Sequence, residues 1–100
     1  MTDNELLNLA AKAANFEIKE GALWNPLVDD GDALRLAIQI GMTIECSSPT
    51  MPNACCIAGI LLTQQNGFCR NVEPYSVHQS PEEATRRAIT RVAAAIGKLK

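Results

Sequence analysis

Aromatic side chains are scarce in this 100-residue chain, and Phe16, Trp24, Phe68 and Tyr75 are the whole set. Ala, Leu and Ile must therefore fill whatever core it builds. Long apolar runs are lacking too: the longest, residues 54–62, falls far short of the roughly 20 residues that a membrane-spanning helix requires. That reads as a soluble protein that does not enter a membrane. The opening MTDNELL is polar, without the apolar stretch of a secretory signal. The expected compartment is the cytoplasm, where the four cysteines stay reduced.

Catalytic signatures are missing as well. There is no G-x-S-x-G, no Ser–His–Asp order and no glycine-rich phosphate loop, so hydrolase and nucleotide-binding readings lack their parts. Cys46, Cys55, Cys56, Cys69 and His78 would supply enough ligands for zinc if they converged, but no C-x-x-C is present. Cys55 and Cys56, as neighbours on a strand, point to opposite faces and cannot easily hold one ion. The expected role of the thiols is packing, as small hydrophobes. A metal site and a nucleophilic Cys–His pair are the alternatives. His78, the single histidine, lies in a polar loop before a helix start and is expected at the surface. No catalytic residue, cofactor or metal ligand is assigned, and the chain is read as not being an enzyme.

What is present is the composition of one globular domain spanning residues 1–100, with 47% hydrophobic and 20% charged residues. Net charge is −2, unevenly placed: residues 1–67 carry eight acids against three bases, and residues 68–100 carry six bases against three acids. This asymmetry suggests a charged binding face or head-to-tail self-association.

Thr2 followed by Glu5 is a capping-box pattern and predicts a helix over residues 3–14, with Leu6, Leu9, Ala10 and Ala13 as its buried stripe and Asn15 as its stop. Phe16 and Ile18 flanking Glu17 read as a short strand, and Glu20-Gly21 as a turn into Ala22-Leu23-Trp24. In the segment 24–41, WNPLVDDGDALRLAIQIG, the aspartates are the right chemistry for a helix start. Asp29 or Asp30 can cap, and Asp32 places charge at the positive end of the helix dipole. An EF-hand would need a glutamate six residues after Gly31, and position 37 is alanine. Leu34, Ala37 and Ile38 are the expected inward face, with Gly41 ending the helix.

Met42, Ile44 and Cys46 then alternate with polar residues, as in a strand with one buried face. Residues 47–54 read as a loop, and residues 55–63 as a central strand covered on both sides. Gln65-Asn66-Gly67 is a hairpin signal returning through residues 68–72. Ser80-Pro81-Glu82-Glu83 opens a last helix to about Ile96. Arg86, Arg87 and Arg91 on that helix, joined by Arg70 and Lys98, are the candidate partner-binding or nucleic-acid-binding residues. Glu82–Arg86 and Glu83–Arg87, at i,i+4 spacing, offer the plainer reading of a solvated helix face.

Two of these segments, WNPLVDDGDALRLAIQIG and EEATRRAITRVAAAIG at 82–97, together with ELLNLAAKAA near the start, resemble small phage and prophage proteins of the phage ABA sandwich type. There, W-N-P-L-x-D-D-G-D-A and A-T-R-R-A-I-x-R-A-A-A-x-I-G segments enclose the strands. The resemblance is specific at those two motifs and weak over residues 42–81. It implies a helix–sheet–helix sandwich and a phage or prophage origin, and no activity. Residues 19–23 are shorter than the insertion expected of that type, so the first hairpin is reduced or absent.

The expected fold is α+β, a three- to four-stranded antiparallel sheet packed with three helices. Its expected core is Leu6, Leu9, Phe16, Ile18, Trp24, Leu34, Ala37, Ile38, Ile44, Ile57, Ile60, Leu62, Ala88, Val92 and Ile96, with Trp24 and Leu27 as an anchor beside the second helix. The functional expectation is a non-enzymatic accessory protein in a bacterial host cell that binds another protein or itself as a homodimer. A nucleic-acid module using the basic last helix competes with it, and an enzyme using Cys69 or the Asp29–Asp32 cluster is the third reading.

Overall fold

Local chemistry at the helix ends sets out the molecule. The computed structural model describes residues 1–18, 23–61 and 68–99. The Thr2 hydroxyl accepts the Glu5 N–H at 3.1 Å, and helix α1 follows over Asp3–Ala13. It ends in a Schellman motif: Asn15 takes φ +56°, its N–H reaches the Lys12 carbonyl, and the Phe16 N–H reaches the Ala11 carbonyl. Asp29 caps α2, Asp30–Ile40, by accepting the Asp32 N–H at 2.9 Å. Gly41, at φ +86°, turns the chain out of it, and the Met42 N–H bonds back to Ala37. Ser80 caps α3, Pro81–Lys98, by accepting the Glu83 N–H, with Pro81 in the first turn.

Between α2 and α3 lie β1 (Thr43–Cys46), β2 (Cys55–Leu61), β3 (Phe68–Pro74) and a 3-10 turn at Tyr75–Val77. They form an antiparallel sheet in the order β1-β2-β3, with Cys46 opposite Cys56, Ile44 opposite Ala58, and Cys56 opposite Glu73. The α+β class, with three α-helices and three strands among the described residues, is therefore the one expected, and the apolar strand β2 lies at its centre. The turn at 65–67, the turn at Glu20-Gly21, and Leu62 lie outside the described residues.

Alternation assigns each side of the sheet. Ile44, Cys46, Cys56, Ala58, Ile60, Cys69, Asn71 and Glu73 share the face that α3 packs on. Cys56 and Ala58 are fully buried there. On the other side Ile57 is half-buried and Val72 exposed. Cover on both sides of β2 was expected, but α3 is the helix that packs closely on the sheet. Small residues make that approach tight: Ala84, Ala88 and Ala93 of α3 have no exposed surface. α3 also receives α1 and α2, so it touches every other helix and two of the strands.

Three expectations need correction. No strand forms over residues 16–18; Phe16 and Ile18, expected in the core, are exposed, and Phe16 leans on the Trp24 ring at 5.1 Å between centroids. The Schellman turn at Asn15 sends the chain outward, with no partner strand beside it among the described residues. In α2 the inward residues are Ala33, Leu36 and Ala37, with Ile40 packed beside them, while Leu34 and Ile38 stand 56% and 70% exposed. The helix is rotated by one residue from the expected face, because Ala33 and Ala37 allow a closer seat on α3 than Leu34 and Ile38 would. The anchor before α2 is as expected at Leu27, which is buried, and Trp24 packs partly against the core. Pro26 is also fully buried there, and the Asn25 N–H donates to Asp32 at 2.8 Å.

Candidate binding cleft

A cleft of about 350 Å³ opens where the first turns of α2 and α3 meet β1 and the 3-10 turn. Its walls are mainly apolar: Ala33, Leu34, Ile44, Pro49, Pro81 and Ile89, with the Cys46 thiol and the Tyr75 ring beside them. Helix caps place these residues. Asp29 fixes where α2 begins, and so which way Leu34 points; Ser80 does the same for Pro81 and Ile89. Tyr75 is held by its hydroxyl, which donates to the Ser47 carbonyl at 2.8 Å, and by its N–H, which donates to Ala54. Burial pushes the Tyr75 hydroxyl above its ordinary range, so it stays a neutral donor.

Charge surrounds the opening without entering it. Arg86 donates through Nε to the Leu27 carbonyl at 2.9 Å and through Nη1 to Asp30 at 2.6 Å, pinning α2 to α3. Glu82 stands exposed at the rim. On α2 the Leu34–Ile38 pair, one turn apart, carries the apolar surface outward from the cleft.

The five basic residues singled out from the sequence do not share one surface. Arg86 is at the cleft; Arg87 reaches Asp3 on α1 at 3.0 Å; Arg91 reaches Glu73 at 2.6 Å. The Arg87 hydrogen bond lowers the Asp3 carboxyl below its ordinary value. Arg91 and Lys98 border a shallow concavity with Met1 and Leu6, whereas Arg70 lies on the far face of the sheet beside Thr43, Glu45 and Ile57. The local pairs Glu82–Arg86 and Glu83–Arg87 do not form, because carboxylates on other elements take the arginines instead.

Glu73 is the polar centre that sequence reasoning missed. It is 4% exposed on the inner face of β3 and accepts from Asn71 at 2.6 Å and from Arg91 at 2.6 Å. His78 lies 2.8 Å from it through Nε2, with Nδ1 3.4 Å from Glu83. Burial alone would raise the Glu73 carboxyl, but hydrogen bonds from Asn71, His78 and Arg91 outweigh it and hold the group below its ordinary value. The His78 side chain is only 9% exposed, which corrects the surface placement expected of it. The one available signal was position: Glu73 shares the inward parity of Cys69 on its strand. The network joins strand, turn and helix, and every buried side-chain N or O atom among the described residues has a partner, as a structural network requires.

Among the described residues no group of three or more His, Cys, Asp or Glu side chains stands together as a metal cage. No helix there is long and apolar enough to cross a membrane. No protein family, curated protein or solved structure matches this chain.

Proposed function

We propose that this chain is a small phage or prophage accessory protein, of the phage ABA sandwich type it resembles, acting without catalysis in the cytoplasm of a bacterial host. It works by seating another protein against the cleft and the outer face of α2. One observation carries the reading: Leu34 and Ile38 remain exposed on a well-capped helix and continue directly into an apolar cleft. Grouped apolar surface of this kind marks interaction sites more often than scattered exposed residues do. Burial of such side chains contributes about 25 cal/mol per Å², and an interface core built on them is rimmed here by Asp30, Glu82 and Arg86.

The competing nucleic-acid reading draws no support from where the arginines sit, since Arg86, Arg87 and Arg91 each hold a carboxylate of the same chain. Fluorescence anisotropy with duplex and single-stranded probes at low salt tests it, with flat traces expected. Sedimentation of the purified chain across concentration then separates self-association from a different partner. A homodimer that dissociates in a Leu34→Lys/Ile38→Lys variant makes the partner a second copy. Nucleic-acid affinity that falls steeply with salt and is weakened by Arg87→Glu overturns the protein-binding reading.

A further inference from the structure

Cys46 closes β1 and Cys56 opens the buried part of β2, directly opposite each other, with their sulfur atoms 3.6 Å apart. The ladder fixes the kind of pair they form. The Ser47 N–H bonds to the Cys55 carbonyl at 3.0 Å, so 47/55 is a hydrogen-bonded pair and 46/56 the adjoining non-hydrogen-bonded one. Opposite residues at such positions have Cα atoms about 4.5 Å apart and side chains turned together, which lies within the range that a disulfide spans. The other thiols have no such geometry. Cys55 faces the opposite side of the sheet, and Cys69 lies opposite Ile60.

Access is one-sided. Cys46 is exposed on the cleft wall, beside the Thr85 hydroxyl at 3.8 Å, while Cys56 is fully buried behind it. We propose that Cys46 and Cys56 form a thiol–disulfide exchange site, entered from the cleft, that a low-molecular-weight disulfide such as oxidised glutathione converts to an intramolecular disulfide. The Cys46 thiolate attacks one sulfur of the oxidant, forming a mixed disulfide and releasing one thiolate. Cys56 gives up its proton and attacks the Cys46 sulfur, the mixed S–S bond breaks, and the second small thiolate leaves. In sum the protein loses two protons and two electrons, and one small disulfide becomes two thiols.

The order of steps has an observable consequence. Burial pushes the Cys56 thiol up to about 12, so its thiolate is scarce near neutrality and the second step is the slow one. The Cys46 adduct accumulates first, and ring closure accelerates roughly tenfold per pH unit while Cys56 remains mainly protonated. The product staples the base of the 47–54 connection and removes a thiol from the cleft wall. This inference stands apart from the partner-binding reading and survives its failure.

The test is incubation of the reduced, folded protein with oxidised glutathione, then acid quench, alkylation under denaturing conditions, intact mass and peptide mapping. The expected wild-type product has lost the mass of two hydrogens, keeps two alkylatable thiols, and maps as a 46–56 link. The same link is expected in a Cys55→Ser/Cys69→Ser variant, and a Cys56→Ser variant is expected to stop at one glutathione adduct on Cys46. Four alkylatable thiols in the treated wild type, a link between any other pair, or disulfide-joined dimers would overturn the proposal.

Discussion

Gly97→Ala is expected to cost about 2 kcal/mol of stability, against what helix propensity alone would say. In a helix interior Ala is favoured over Gly by about 1 kcal/mol. At residue 97, though, an added Cβ would overlap the Leu9 carbonyl oxygen of α1 and come within 2.8 Å of its carbonyl carbon. That neighbour is backbone, so no rotamer change relieves the clash. α1 must move as a unit, loosening the seam where Leu6, Ala10 and Ala14 are buried. Overpacking of this kind costs about 1–3 kcal/mol, and the rigid neighbour places it at or above the upper end, leaving about 2 kcal/mol after the propensity gain. For a domain of this size that lowers the thermal midpoint by roughly 10 °C. Thermal and urea melts followed by circular dichroism read the change. Gly41→Ala is the control: open space surrounds Gly41, and only its φ of +86° resists a side chain, so its loss should be about 1 kcal/mol. A Gly97→Ala protein as stable as wild type, or more stable, would refute the close α1–α3 approach.

Asp29→Ala and Ser80→Ala should each cost about 1 kcal/mol through loss of a helix cap, read as a lower urea midpoint at unchanged slope. Glu73 is held below its ordinary value of 4.5, so on acidification the unfolded chain takes up its proton first. Its contribution is complete above that value and is lost as pH falls through the lower folded one. Glu73→Gln should therefore flatten the acid loss of stability below pH 4.5, and matching acid slopes would contradict the network. Glu73→Ala at neutral pH should cost about 2 kcal/mol in urea unfolding, a figure reduced by the partial exposure of Arg91.

Helix ends were the most legible part of the sequence because capping is chemistry between residues three apart. Thr2/Glu5, Asp29/Asp32 and Ser80/Glu83 all make the bonds their spacing implies. Strand alternation likewise placed Cys55 and Cys56 on opposite faces and β2 at the centre. The inward face of α2 was not legible, since positions 33, 36, 37 and 40 form as good an apolar stripe as 34, 37 and 38. Only the distance to α3 chooses between them. The alternation at Phe16–Ile18 misled because it has no neighbouring strand to pair with among the described residues.

Long-range ion pairs were hidden for a different reason. Arg86 and Arg87 had glutamates available one turn away, and the structure gives them Asp30 and Asp3, 56 and 84 residues distant in sequence. Such pairs exist only once the helices are docked. Glu73 and His78 follow the same logic, as Arg91, which donates to Glu73, and Glu83, beside His78, both come from α3. The cleft inherits this: its residues come from four elements, and no motif in any one of them announces it.

The most direct test of partner binding through α2 is a paired capture from nuclease-treated extracts of infected bacterial cells. Wild-type bait is run beside a Leu34→Lys/Ile38→Lys bait shown to melt at the same temperature. The account predicts a protein held by the wild type and lost from the variant. The same protein retained equally by both baits would contradict it.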